Sequence, residues 1–401
     1  MNYVRIKQFL FLTVFSFYFG ISQTKKITVI DSHTNLPIEG VHTFYASLQE
    51  GSYTNEDGVV DVILKDELLT ISHLNYQELT LTLQEIKSSN TLYLKPVDVG
   101  LDEVIVNSFN LKKALQYVLE NYYNLYVSYS TEKECSFKEK LIVDGEIHRL
   151  ILSELKLWTK DAALNNRKLD KTTKLKLGAI SHNKNVPLAF DINNDGIANP
   201  EASGHIITKS LLANSYLDVA IGGFLKHAGH IEETIENSSS DVIVVSYTTD
   251  WKNFNKVANR TKGKIVFDKK TKAVIEFVKE IELRNDILSK TSDFSGKEYQ
   301  YETKKQLIRH TFAKGPNGKY SLSRFSIDAD VLLSFENKKY STQFKNDLFV
   351  LKETKKRKVD KQGIIDLDKA IYKALPSNII NTNTVVLTLE EKAFLKTKIK
   401  K

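Results

Sequence analysis

The sequence predicts a mostly β protein: a small antiparallel β-sandwich at the front, then one helix and a large curved antiparallel sheet. Three observations predict it. Strand-favouring residues are abundant, with 20 Phe and 18 Tyr against 6 Pro and 17 Gly in 401 residues. Turn signals recur every ~10 residues over the first hundred positions, the rhythm of a sandwich. Beyond residue 130 the alternation of apolar and polar residues runs in much longer stretches, with short turns between them.

Residues 1–22 read as a secretory signal. Arg5 and Lys7 supply its positive start, the run "FLFLTVFSFYFGI" its apolar middle, and Ser22 or Gln23 a suitable cleavage point. An uncleaved anchor is the alternative, but the run falls short of the ~20 residues a spanning helix needs. Export is therefore expected, to the periplasm or the outer membrane.

Residues 24–107 form the first domain. "KITVID" ends at the turn "SHTNLP", "VHTFYA" alternates, and "NEDG" turns the chain at Gly58. "VVDVIL" then places Val60, Val62 and Leu64 on one face. "ELLTISHLNY", "ELTLTLQEI" and "NTLYLKP" read as further strands, and "VDVGLDEVIVNS" as a closing one. The segments "VIDSHTNLPIEGV", "YTNEDGVVDVIL" and "LTISHLNY" resemble the carboxypeptidase regulatory-like domain at the front of many exported Bacteroidetes proteins. Asn75 stands where that family usually has Gly before its last Tyr, and Val59 where it has an aromatic. The resemblance implies a prealbumin-like sandwich that docks or spaces. It implies no peptidase activity, because in metallocarboxypeptidases this sandwich carries no zinc.

Residues 108–386 form the second domain. Leu111, Leu115, Val118 and Leu119 recur at helical spacing behind Asn110, a fitting N-cap, so a helix is expected over about 110–123. "FDKKTKAV" and "KGPNGKY" read as hairpin turns between long strands. With "ALQYVLENYYNLYVSYS" and "GKYSLSRFSIDADV", these segments resemble exported proteins whose sheet is of the outer-membrane lipoprotein-carrier type. That resemblance implies a concave face able to hold an acyl chain. A concave face filled by ordinary core is the reading the alternation favours. Residues 387–401 read as a basic terminal helix with a capping box of Thr388 and Glu391, frayed and solvated, and able to touch a membrane peripherally.

The formal charge of +8 falls to +6 without Arg5 and Lys7, and the lysines are interleaved with acids. This excludes a nucleic-acid partner and leaves an envelope protein, a lipid or another apolar ligand. The single cysteine, Cys135, reads as a half-buried small residue and has no partner for an internal disulfide. Asp191, Asn193 and Asp195 open like a calcium loop, but the closing position holds Ala202, and Glu201 comes one residue early. His227, His230 and Glu233, with distant His310, offer nitrogen and carboxylate ligands for zinc, without the context a zinc hydrolase needs. No nucleophile elbow, phosphate loop or dinucleotide fingerprint occurs. No cofactor is expected, calcium being the candidate ion ahead of zinc. The favoured function is a non-enzymatic envelope binding or structural protein. The alternatives are a metal-dependent hydrolase using the His227/His230/Glu233 cluster and a small outer-membrane component.

Overall fold

The computed structural model describes residues 23–45, 47–48, 50–73, 76–96, 109–164, 168–186, 208–238, 241–254, 257–284, 287–291, 298–360, 362–369, 371 and 386–397. The expected signal, the closing strand over 97–108 and Asn75 lie outside them. The fold is mostly β, as the sequence predicts. The chain divides into two compact units, one of residues up to Tyr45 with Ser52–Val97, the other of Ala46–Gly51 with Asp98–Lys401.

The smaller unit runs β1 (Thr24–Asp31), β2 (His42–Tyr45), β3 (Glu50–Tyr53, which straddles the division), β4 (Val59–Ile63), β5 (Leu69–Ser72), β6 (Leu79–Leu81), α1 (Leu83–Ser88) and β7 (Thr91–Leu94). One sheet has the order β4-β1-β7, and β2, β5 and β6 pair antiparallel in a second. Ile27, Val29, Val60, Ile71 and Leu94 fill the core. Two details differ from the sequence reading. "LTLQEI" does not continue as strand: Thr82 and Glu85 close a capping box that starts α1, and two satisfied end groups outweigh the strand alternation. The β1–β7 pair is parallel, since the chain reaches β7 through α1 from the second sheet and no hairpin fixes its direction.

The turn chemistry ties this unit together. Gly58 has φ +70°, and a Cβ there would lie 2.6 Å from the Val29 carbonyl, so only glycine fits. The Val29 N–H donates to the Gly58 carbonyl at 2.8 Å. The Tyr76 hydroxyl donates to Asp31, whose other oxygen accepts the His33 and Thr34 N–H groups.

The larger unit opens with α2 (Leu111–Glu120), where the Asn110 side chain accepts the Lys113 N–H as expected, and α3 (Tyr122–Leu125). Then come β8 (Thr131–Val143), β9 (Glu146–Thr159), α4 (Leu169–Thr172), β10 (Thr173–Asn185), α5 (Thr208–Asn214) and α6 (Leu217–His227). There follow β11 (Ile231–Ser238), β12 (Val242–Thr249), β13 (Lys252–Phe254), β14 (Val257–Asp268), β15 (Val274–Arg284), β16 (Ile287–Thr291), β17 (Glu298–Lys314), β18 (Tyr320–Phe335), β19 (Lys338–Lys355) and α7 (Leu389–Lys396). The strands form one curled antiparallel sheet in the order β11-β12-β14-β15-β17-β18-β19-β8-β9-β10. Both expected hairpins are present, with Lys272 and Gly318 at positive φ in their turns.

Register fixes what each face carries. One cross-strand row runs from Val245 through Ile265, Phe277, His310, Phe325, Leu348 and Phe137 to Ser153. Helices α2, α5 and α6 lie on this face. Leu111, Leu115, Leu217, Ile221 and Phe224 of α2 and α6 pack over Val245, Ile265 and Phe277. Leu211 and Leu212 of α5 pack over Phe137, Phe325 and Leu348. Much of the face is therefore filled core. The opposite face of β8–β9 meets α7 through Leu150, Leu152 and Phe394, which is why β9 is buried on both sides. The terminal helix is thus docked rather than frayed. Glu391 is fully buried against Lys138 and Lys140, and Lys184 donates to the Phe394 and Thr397 carbonyls at the helix end. Among the described residues no helix is long and apolar enough to cross a membrane.

Candidate ligand-binding site

Two adjoining cavities lie where the helices end on the sheet. The inner one is walled by Tyr122, Tyr126, Tyr216, Phe312 and Tyr320 and floored by Thr131, Lys133 and Thr159. Its aromatic walls are held by hydrogen bonds. The Tyr126 hydroxyl donates to the Val274 carbonyl at 2.8 Å and accepts the Val274 N–H at 3.0 Å. The Tyr320 hydroxyl donates to Asp268 at 2.6 Å. Burial pushes the Tyr320 phenol well above its ordinary range, helped by the Asp268 carboxylate. On the floor, Lys133 Nζ meets Glu353 at 2.8 Å and donates to Thr131 at 2.8 Å. The free volume is about 50 Å³, enough for one or two waters and too little for an acyl chain.

The outer cavity is an open groove of about 560 Å³ lined by Ser128, Tyr129, Ser130, Lys160, Lys355 and Arg357, with Asp161 common to both cavities. Hydrogen bonds to backbone carbonyls set its shape. The Lys356 N–H donates to the Ser130 carbonyl, the Trp158 indole N–H to the Lys356 carbonyl, and the Lys160 N–H to the Thr172 carbonyl.

Deeper on the helix-covered face, the next cross-strand row is Ile308, Ile327, Asn346, Glu139 and Ile151. Arg149, fully buried, places its Nε 2.6 Å from Glu139 Oε1. Asn346 is 1% exposed, and neither polar atom of its amide has a partner among the described residues. The buried Ser153 hydroxyl is equally unpartnered. Lys279 adds a cation beside Ile308, and burial pushes its amine down to about 8.

The sequence-derived metal sites fare differently. Asp191, Asn193 and Asp195 lie outside the described residues. Glu233 accepts the Leu111 N–H at 3.0 Å, so its carboxylate caps α2. His227 ends α6 and His230 lies in the following turn, both exposed. His310 is not with them. It is buried between Phe277 and Phe325 with its Nε2 2.7 Å from the Asn214 carbonyl, and burial pushes its pKa down to about 4. Among the described residues no group of three or more His, Cys, Asp or Glu is placed to hold a metal ion. The Asn346 amide was beyond sequence reasoning, since one polar residue inside an alternating strand reads as surface.

Cys135 is 1% exposed, more deeply buried than the sequence suggested, and burial pushes its thiol up to about 12. A thiol-specific chromogenic disulfide should leave the native chain unlabelled at neutral pH and label one equivalent after denaturation. Rapid native labelling would contradict this burial.

No protein-family model and no curated protein matches the chain. Among solved structures, one titled for lipid–protein interactions in lipovitellin is similar at 10% identity and a TM-score of 0.28. The match covers 62% of this chain and 28% of that one. A likeness at that level carries no functional argument.

Proposed function

We propose that this is an exported binding protein of a bacterial envelope, without catalytic activity, whose larger unit holds an apolar or amphiphilic ligand against the helix-covered face of its sheet. The observation that carries the reading is Asn346. A fully buried amide without partners costs about 1–3 kcal/mol, a cost offset when the polar end of a ligand, or water accompanying it, meets the amide. The apolar rows on either side supply the rest of such a surface. The buried carboxylates support a binding role too: Glu139, Glu353 and Glu391 are committed to structural ion pairs, and Glu233 to a helix end. In this reading the smaller unit is a regulatory-like sandwich that docks or spaces the larger one. The hydrogen bonds joining Val29, Gly58, Asp31 and Tyr76 support that assignment, because they link the segments that carry the resemblance.

Native mass spectrometry of the chain purified from its own envelope tests the proposal. A retained lipid-sized mass is expected. In Asn346→Leu, a change that keeps the amide's shape, the retained mass should disappear while stability to urea rises by about 1–3 kcal/mol. A bare mass in the wild type, or an unchanged adduct in the variant, would sink the assignment.

A further inference from the structure

The open groove is lined by three cations, Lys160, Lys355 and Arg357. Lys356 at its edge is paired with Glu132 at 2.6 Å, Glu353 with Lys133, and Asp360 with Lys176. Glu132, Glu353 and Asp360 are thus matched by other lysines, and Asp161 is the one acid of the lining, against three cations. Lys160, Lys355 and Arg357 form no salt bridge among the described residues. Like charges gathered on one wall repel each other, and a bound anion relieves that repulsion. Tyr129 stands among them 39% exposed, with Lys355 Nζ 4.9 Å from its ring centre. The Ser128 and Ser130 side chains add hydroxyls to the lining. The wall is held by the backbone bonds from Lys356 and Lys160, so little order is lost when a ligand arrives.

We infer that this groove recognises a phosphate-type anionic group. The guanidinium of Arg357 offers two parallel donors to its oxygens, the two lysines supply point charges, and the Tyr129 ring offers an apolar flank. The group belongs either to a free anion or to the headgroup of an amphiphile. The inference concerns the groove alone and stands whether or not the helix-covered face holds a ligand.

Binding of dodecyl phosphate, inorganic phosphate and uncharged dodecyl maltoside to the full chain tests it by calorimetry. Lys355→Ala/Arg357→Ala is compared with Lys269→Ala/Lys270→Ala, which removes the same charge from the β14–β15 turn. All four residues are exposed, so neither pair threatens the core. Dodecyl phosphate affinity should fall about tenfold in the groove variant, a difference of about 1.4 kcal/mol, and hardly change in the turn variant. Raised salt should weaken binding to the wild type. Competition by inorganic phosphate would identify the free anion as sufficient, and its absence would assign the group to an amphiphile. Equal losses in both variants, or no preference for dodecyl phosphate over dodecyl maltoside, would overturn the inference. If dodecyl maltoside still bound, the proposed apolar surface would survive that outcome.

Discussion

Replacing Arg149 with methionine should destabilise the larger unit by about 3–5 kcal/mol, the largest effect expected of any single substitution here. Arg149 lies on β9 with no exposed surface, and its Nε is 2.6 Å from Glu139 Oε1 on β8. Glu139 is itself 2% exposed. The two residues lie in neighbouring cross-strand rows, Arg149 with Ala329, Phe344 and Leu141, and Glu139 with Ile308, Ile327 and Ile151. Methionine fills much of the arginine's volume, so the loss comes from the carboxylate left behind, stripped of water and of its counter-charge. The control is the double variant Arg149→Met/Glu139→Leu, which removes both charges. It should recover most of the loss and come out near the wild type, because replacing both members of a buried pair is often neutral or stabilising. Urea unfolding of the wild type, both single variants and the double variant closes the cycle. A cost under about 1 kcal/mol for Arg149→Met would mean that the carboxylate reaches water and that the sheet is open there.

That pair also shows where sequence reasoning stopped. Alternation along "EKLIVDGEIHRLILSEL" made β8 and β9 plain, because a period of two survives whatever covers the faces. The same alternation hid that both faces of β9 are buried, since one covering element, α7, lies more than two hundred residues away. Polar residues at inward positions, Glu139, Arg149 and Asn346, then read as solvent-facing. The β17–β18 hairpin was legible because its turn needs Gly318 at positive φ, and the β14–β15 hairpin because a strand ending at Asp268 turns through lysines and Thr271 and returns as an apolar strand. Helices α5 and α6 escaped. Their signal was present in Leu217, Ile221 and Phe224 at helical spacing, but Gly222–Gly223 weakens it, glycine being a poor helix former that packing overrides. The candidate cavities were illegible in principle. They join residues 122–133, 157–162, 215–217, 312–322 and 355–357, which are far apart in sequence and meet through pairings such as that of β8 with β19.

Glu391→Ala should release α7 from the sheet. Glu391 is fully buried and pairs with Lys138 and Lys140, the latter 3.1 Å away and 1% exposed. Its other oxygen accepts the Thr388 N–H at 3.0 Å, and its own N–H donates to Thr388 Oγ1 at 3.2 Å, completing the capping box. Alanine removes the box, worth about 1 kcal/mol, and takes the Glu391 carboxylate away from Lys138 and the buried Lys140. The latter loss is the larger, about 3 kcal/mol or more, and exceeds what Phe394 alone can hold in place. Proteolysis after the basic residues of 386–397 should be slow in the wild type and fast in the variant. Equal rates would show that α7 docks through its apolar contacts. The pH dependence follows from the same geometry. Burial pushes the Glu391 carboxyl up, but Lys138 and Lys140 outweigh it and hold its pKa below the usual value of 4.5. A carboxylate depressed in the folded state stabilises fully above its unfolded pKa, and that contribution fades as pH falls through the lower folded value. Cleavage of the wild type should therefore stay slow at neutral and mildly acidic pH. An acid-stable protease should accelerate it only below the ordinary carboxylate range, and the acceleration should be absent in Glu391→Gln, which has no proton to gain.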